Sequence, residues 1–248
     1  VAYDASSSDV AEITISITNV NDAPTVTSAQ ADVSTAEDAA YSLDVSGNFD
    51  DEDTADTLSF TATGMPSTMT MSTAGVLSGT PVNADVGDHT VIVTATDDGT
   101  GTLTVTDTFV LTVTNTNDAP TVASAIADVS AAEDATYSLD ASGMCTDVDA
   151  SDTMSYTISG GPSTITATTA GVISGTPVNA DVGAHTITVT CADAAGSSAT
   201  DDYVLTVTNT NDAPTVASAI ADVSAAEDAA YSLDASGTCT DVDASDTM

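Results

Sequence analysis

The sequence predicts an all-β fold made of tandem β-sandwich modules in a linear array. Apolar and polar residues alternate along many short stretches rich in Val, Ile and Thr, and no stretch sustains the 3.6-residue period of a helix. The same ordered motifs return about every 95 residues. Together these observations favour repeated antiparallel sandwiches over a helical or mixed fold.

The alternating stretches mark individual strands. Three clear examples place apolar residues at every second position: Ile13, Ile15 and Ile17; Ile187, Val189 and Cys191; and Tyr203, Leu205 and Val207. Gly and Pro separate such stretches, as in Gly175-Thr176-Pro177. About seven short strands in each repeat are typical of an immunoglobulin-like sandwich.

The repeats also divide the chain. Asn-Asp-Ala-Pro-Thr begins at Asn21, Asn117 and Asn211, at spacings of 96 and 94 residues. Residues 114–154 and 208–248 differ at only two positions, which indicates recent tandem duplication. We therefore predict the end of one module (residues 1–24), two complete modules (residues 25–120 and 121–214) and the beginning of a further module (residues 215–248). This division suggests a segment of a longer array.

The charge of the chain is extreme. It holds 38 Asp and Glu residues and no Lys or Arg, for a formal net charge of −38. Binding to nucleic acid or to an anionic membrane surface requires cationic side chains, so both classes of partner are excluded. The composition, 42% hydrophobic, is that of a folded protein, so the counter-charge must come from solution as metal or salt.

Several motifs recur in the same order in both complete repeats. They are Ala36-Glu37-Asp38 and Ala132-Glu133-Asp134, the acidic runs at residues 51–56 and 147–152, two Gly-Thr-Pro triplets, Asp97 and Asp193, and the closing Asn115-Thr116-Asn117-Asp118-Ala119-Pro120. Over its whole length the chain resembles the dystroglycan-type cadherin-like family, whose tandem modules occur in microbial surface proteins and secreted adhesins.

The resemblance implies calcium at the module junctions, held by Asx residues of each linker and carboxylates of the following module. The first junction would use Asn19, Asn21, Asp22, Asp51, Asp53 and Asp97; the second Asn115, Asn117, Asp118, Asp147, Asp149 and Asp193; and the third Asn209, Asn211, Asp212, Asp241 and Asp243. Glu37 and Glu133 resemble the glutamate that the preceding module contributes. The acidic strand-end motif of cadherins is replaced by Ser-Gly-Thr-Pro at residues 78–81 and 174–177, which implies one calcium per junction rather than three.

The chemistry of these residues also suits calcium. Ca²⁺ takes six to eight oxygen ligands from carboxylates and carbonyls, and clustered carboxylates repel one another unless a cation lies among them. The alternative is that Asp and Asn simply favour turns by bonding to their own backbone.

The cysteines become informative when the repeats are aligned. Cys145 corresponds to Phe49 and Cys191 to Ala95, so a large–small pair in one repeat is a Cys–Cys pair in the other. The paired replacement predicts a Cys145–Cys191 disulfide; the alternative is two buried thiols. Cys239 corresponds to Cys145, and its partner would lie outside this sequence. A disulfide implies an oxidising, extracellular setting.

No catalytic constellation is evident. His89 and His185 occupy equivalent positions with no nucleophile or metal partner at matched spacing. We therefore predict a non-catalytic, calcium-rigidified stalk or surface fibre of a microbial cell-surface or secreted protein. Its partners would be other copies of the repeat, with cell-surface or matrix glycans as further candidates, and without direct membrane insertion. Three alternatives remain: a filament or sheath subunit, a carbohydrate- or cell-binding adhesin module, and a spacer of a secreted enzyme.

Overall fold

The computed structural model describes residues 12–149 and 152–243. The chain forms two compact units, Val1–Thr116 and Asn117–Met248. All the regular structure in the described ranges is β-strand apart from three single turns of 3-10 helix, which confirms the predicted all-β class. Among the described residues there is no helix with the length and apolarity needed to cross a membrane.

The first unit contains one sandwich of nine strands, the first sandwich. Its strands are β1 (Thr25–Val26), β2 (Val33–Ala36), β3 (Tyr41–Asp44), β4 (Phe49–Asp50), β5 (Ser59–Thr63), β6 (Met69–Met71), β7 (Val76–Gly79), β8 (Gly87–Thr96) and β9 (Thr104–Thr114). They form a four-stranded sheet in the order β2-β9-β8-β5, a three-stranded sheet β3-β7-β6 and the pair β1-β4. Strand β2 runs parallel to β9, and every other pairing is antiparallel.

The core of the first sandwich lies between these sheets. In β8 the side chains of Val91, Val93 and Ala95 are buried, while the alternating positions face outward. Strand β9 buries Phe109 and Leu111 in the same way, and Leu77 of β7 closes the core from the three-stranded sheet. The period-two pattern of the sequence is therefore the pattern of burial.

The second unit repeats this architecture in the second sandwich. Its strands are β10 (Thr121–Val122), β11 (Val129–Ala132), β12 (Tyr137–Asp140), β13 (Cys145–Thr146), β14 (Ser155–Gly160), β15 (Ile165–Ala167), β16 (Val172–Gly175), β17 (Gly183–Ala192) and β18 (Ser198–Thr208). The sheet orders β11-β18-β17-β14, β12-β16-β15 and β10-β13 match those of the first sandwich. The predicted alternation is confirmed in β17 and β18, where its apolar members are buried.

Residues 215–243 follow the second sandwich and contain only β19 (Thr215–Val216) and β20 (Cys239–Thr240), which pair with each other. The apolar side chains of residues 215–243 are largely exposed, including Tyr231 at 52% and Val223 at 59%.

The alternation at Ile13, Ile15 and Ile17 predicted a strand, and this prediction is wrong for the structure. Residues 12–24 contain no strand, and the three isoleucines are 80–90% exposed. An alternating stretch becomes a half-buried strand only where a sheet supplies its partner strand, and the described residues supply none to this stretch.

Candidate metal centre

The acidic loops that follow β4, β13 and β20 begin with the same local turn. The amide of Asp53 donates to Oδ1 of Asp51 at 2.9 Å. The equivalent bonds run from Asp149 to Asp147 at 2.9 Å and from Asp243 to Asp241 at 3.0 Å. In each loop the first Asp bonds to the backbone two residues later, which is the turn chemistry that Asp favours. The turn sets the direction of both carboxylates at the end of the strand.

Each linker then docks onto the second Asp of that turn. The backbone amide of one linker residue donates a hydrogen bond to Oδ2 of this Asp. The bonds run from Asp22 to Asp53 at 2.7 Å, from Asp118 to Asp149 at 2.8 Å, and from Asp212 to Asp243 at 2.6 Å. The receiving carboxylates Asp53, Asp149 and Asp243 are 2–7% exposed. The repeated linker motif and the repeated acidic loop therefore belong to one structural feature, which the sequence spacing alone did not show.

In the first unit, two linker amides also contact acids of the sandwich. Asn19 Nδ2 donates to Asp53 Oδ1 at 2.5 Å, and Asn21 Nδ2 donates to Asp97 Oδ2 at 3.0 Å. The hydrogen bond from the Asp22 amide, followed by that from Asn19, lowers the pKa of the Asp53 carboxyl. Asp53 is thus held in its ionised form, as a cation ligand must be.

Three carboxylates of this loop converge. Asp51, Asp53 and Asp56 each place one oxygen within 4.8 Å of the others. Burial, and then the neighbouring carboxylates beginning with Asp53 and Asp98, raise the pKa of Asp56. Oδ2 of Asp51 is buried with no hydrogen-bond partner among the described residues. The raised pKa shows that the carboxylates of this cluster repel one another, and a cation among them would relieve the repulsion and satisfy the unpartnered oxygen.

Gly99 closes the rim of this cluster. A Cβ at Gly99 would lie 1.7 Å from Oδ1 of Asn21 and 2.4 Å from Oδ2 of Asp56, so no larger residue fits without displacing them. The absence of a side chain therefore lets an amide oxygen and a carboxylate oxygen approach the same point.

The second unit has a corresponding cluster of Asp147, Asp152 and Asp193, again within 4.8 Å. A hydrogen bond donated by the Asn117 side chain, at 3.0 Å, is the main cause of the lowered pKa of Asp193. Burial, followed by the charges of Asp147, Asp149 and Asp193, raises the pKa of Asp152. Buried Oδ2 atoms of Asp147 and Asp152 lack hydrogen-bond partners within the described part of the chain.

Glu133 forms a further acidic group with the third linker, also inside the second unit. It is 1% exposed; its Oε1 accepts from the Thr210 amide at 2.7 Å, and its Oε2 has no hydrogen-bond partner in the described ranges. Burial, followed by the carboxylates of Asp134, Asp243, Glu133 and Asp241, raises the pKa of Asp212. Glu37 is equally buried, accepts from the Thr116 amide at 3.0 Å, and likewise has an unpartnered Oε2.

These groups offer only oxygen atoms, and the chain has no Lys or Arg to pair with them. Carboxylates mixed with amide oxygens in an irregular arrangement suit Ca²⁺ better than the regular octahedron that Mg²⁺ requires. The residues present therefore fit a calcium ion.

The remaining predicted metal ligands contribute less to these acidic groups. Asn115 accepts a long bond of 3.4 Å from Asn83, and Asn209 is exposed. Asn211 is also exposed and donates to the carbonyl of Asp212 at 2.8 Å. Conversely, sequence reasoning missed Asp56 and Asp152. The shared spacing Asp-x-Asp-x-x-Asp, present at residues 51–56 and 147–152, was the signal that would have identified them.

The predicted disulfide between Cys145 and Cys191 is present, with Cα atoms 6.6 Å apart and 46 residues between them in sequence. Cys239 is a free thiol. Phe49 and Ala95 of the first sandwich are buried at the corresponding positions.

A protein-family model, He_PIG, described as a putative Ig domain, matches residues 23–114 and 119–208. The match supports the predicted Ig-like or cadherin-like repeat, while the narrower dystroglycan-type assignment stays a prediction. A search of the curated proteins returns no match.

Solved structures similar to this chain include cadherin ectodomains. The mouse cadherin-23 EC22-24 fragment aligns with a TM-score of 0.54 at 13% identity, covering 77% of this chain and 65% of that one. Human mucin-like protocadherin EC1-2 aligns with a TM-score of 0.53 at 16% identity, covering 74% and 98%. An endo-fucoidan hydrolase of glycoside hydrolase family 107 aligns at 24% identity with a TM-score of 0.36, covering 76% of this chain. This chain spans only 29% of that hydrolase.

Proposed function

Because the chain belongs to the He_PIG family of putative Ig domains, we propose that it is a non-catalytic part of an extracellular structural or adhesion array, stiffened by calcium at its module junctions. Modules of this kind are typically non-catalytic. The array would be a stalk or surface fibre of a microbial surface or secreted protein. Its complete modules would be residues 25–120 and 121–214, with other copies of the repeat as its partners.

The observation that carries this proposal is the environment of Glu133. Glu133 is 1% exposed, and its Oε2 has no hydrogen-bond partner among the described residues. Its Oε1 accepts from the Thr210 amide of the linker at 2.7 Å, and two residues further on the Asp212 amide donates to Oδ2 of Asp243 at 2.6 Å. An isolated buried charge is costly, and removing its partner is strongly destabilising. A divalent cation bound by Glu133, Asp212 and Asp243 would satisfy the oxygen and join the sandwich, the linker and the following acidic loop.

Stiffening follows from where the ligands originate. Without the ion, the linker acids repel the module acids and the linker can bend; with it, the same residues are held to one centre. Calcium would then act on the angle between modules more than on the fold of each, because each sandwich has its own hydrophobic core. The disulfide supports an extracellular location, since such bonds persist in oxidising compartments.

The test combines calcium titration calorimetry with small-angle scattering of the chain in calcium and in chelator. We expect calcium to lengthen and narrow the distance distribution while far-ultraviolet circular dichroism stays unchanged. Glu133→Gln should abolish the binding of one calcium ion or weaken its affinity at least about tenfold, because affinity for Ca²⁺ falls as the number of charged ligands falls.

The matched control is Glu227→Gln, because Glu227 is the sequence copy of Glu133 and is exposed. This control should leave the titration unchanged. A scattering profile insensitive to calcium would contradict the stiffening, and equal effects of the two variants would contradict the assignment of Glu133.

A further inference from the structure

We infer that the Cys145–Cys191 disulfide positions two ligands of the cation cluster in the second sandwich, so that cation binding and the redox state of this bond are coupled. The inference rests on the proposed calcium function and adds a regulatory property that the first sandwich lacks.

The geometry begins with the sequence spacing. Cys145 and Asp147 are separated by one residue, as are Cys191 and Asp193. The disulfide therefore joins β13 to the end of β17, two residues before each carboxylate. Asp147 and Asp193 are two of the three acids whose oxygens converge within 4.8 Å.

The first sandwich provides the comparison. Its corresponding positions hold Phe49 and Ala95, with no covalent link, and its convergent trio is Asp51, Asp53 and Asp56, all from one loop. In the second sandwich the trio instead includes Asp193, which directly follows β17, the strand that the disulfide ties to the loop. The trio that spans two segments thus occurs where those segments are covalently joined.

Two unpartnered oxygens lie within this bridged cluster. Oδ2 of Asp147 and Oδ2 of Asp152 are buried with no hydrogen-bond partner among the described residues. Holding like charges together opposes their repulsion, and the bond does so before any ion arrives. Preorganisation of this kind raises affinity because less ordering and repulsion remain to be overcome on binding.

Linkage makes the effect reciprocal. If the bond tightens cation binding by a given factor, the bound cation must stabilise the bond against reduction by the same factor. Reduction by a dithiol breaks the Sγ–Sγ bond, transfers two electrons and two protons to form two cysteine thiols, and leaves the dithiol as a cyclic disulfide. We expect a coupling of about tenfold, within the usual range for linked sites.

The experiment uses the whole chain with Cys239→Ser, which removes the free thiol. Calcium binding at the other two acidic loops is removed by adding four substitutions: Asp51→Asn, Asp53→Asn, Asp241→Asn and Asp243→Asn. Calcium affinity is measured by calorimetry in the oxidised and the dithiol-reduced chain, and the midpoint potential of the bond is measured with and without saturating calcium. We expect about tenfold weaker binding after reduction and a midpoint potential about 30 mV more negative with calcium, which is the same factor for a two-electron couple.

A second variant guards against unfolding of the reduced chain. Cys145→Phe with Cys191→Ala recreates the pair that the first sandwich uses, so this variant should fold without the bond. It should bind calcium as weakly as the reduced chain.

Each outcome decides the matter. Equal affinity in the oxidised chain and in the folded Phe–Ala variant, or a midpoint potential unaffected by calcium, overturns the coupling while leaving the calcium function standing. Absence of calcium binding in the oxidised chain with all acidic loops intact overturns the proposed function itself, and the coupling with it.

Discussion

The two sandwiches attach equivalent acidic loops to their cores by different means. In the first, the ring of Phe49 packs edge-on against Phe60, with centroids 5.4 Å apart. In the second, Cys145 is bonded to Cys191. Tyr156 stands at the Phe60 position and donates its hydroxyl to the Ser142 carbonyl at 2.6 Å. The turn that presents the carboxylates is constant, and only its anchor to the core varies. The fold therefore tolerates either an aromatic contact or a covalent bond at the base of this loop.

The largest expected effect is Phe49→Ala in the first sandwich. The side chain is 7% exposed and packs against Phe60, so its loss should lower the free energy of unfolding of this sandwich by about 3–5 kcal/mol. Hydrogen-exchange mass spectrometry resolves the two sandwiches and should show deprotection of the first alone. The exposed Val82→Ala is the control and should change little; equal deprotection of the second sandwich would contradict independent cores.

Removing the covalent anchor should cost somewhat less. The double change Cys145→Ala and Cys191→Ala opens a loop with a 46-residue separation and should destabilise the second sandwich by about 2–4 kcal/mol. Denaturant unfolding followed by hydrogen exchange reports this loss for each sandwich. Addition of a dithiol to the native chain should reproduce it and leave the first sandwich unchanged, since that sandwich has no cysteine.

Asp85 should make the stability of the first sandwich depend on pH. Burial raises its pKa, but hydrogen bonds donated by Thr68, Val82 and Ser67 together outweigh burial and leave the pKa below the ordinary 3.8. Its stabilisation is therefore complete above pH 3.8 and is lost as the pH falls through its lower folded-state value. Asp85→Asn should cost the first sandwich about 1–3 kcal/mol at neutral pH. It should also flatten the acid limb of the unfolding curve; an unaltered limb would show that other carboxyls control it.

The smallest expected effect is a shift in melting temperature whose sign differs between chelator and calcium. Asp56→Asn and Asp152→Asn each remove a carboxylate whose pKa is raised by burial and by its acidic neighbours. In chelator each variant should raise the melting temperature of its own sandwich, because repulsion is relieved. In calcium each should lower that temperature, because a ligand is lost. Thermal melts in both buffers check this, and a shift of the same sign in both would assign these residues to turn structure alone.

Much of this architecture follows from the sequence. The period of two identified β17 and β18, and the repeat alignment paired Cys145 with Cys191. The alignment also found the acidic loops but missed Asp56 and Asp152, because which oxygens converge depends on the three-dimensional course of the loop. Gly99 illustrates the limit, since its importance lies in its approach to Asn21, far away in sequence.

Two nearly identical stretches of sequence show which structural features are set by local interactions and which require tertiary contacts. Residues 118–149 and 212–243 form the same Asp turn and the same linker contact, and both bury the second Asp, Asp149 at 3% and Asp243 at 2%. Yet Tyr137 is 8% exposed and lies in β12, whereas its copy Tyr231 is 52% exposed and lies in no strand.

The physical reason is the range of the interactions. The turn closes through a hydrogen bond between residues two apart, so the sequence alone determines it, together with the sites where carboxylates collect. A strand requires partners from distant parts of the chain. Strands β11 and β12 form because β18 and β16 lie beside them, and residues 221–233 have no such neighbours among the described residues. The tertiary structure alone decided which alternating stretches became strands and which carboxylates converge.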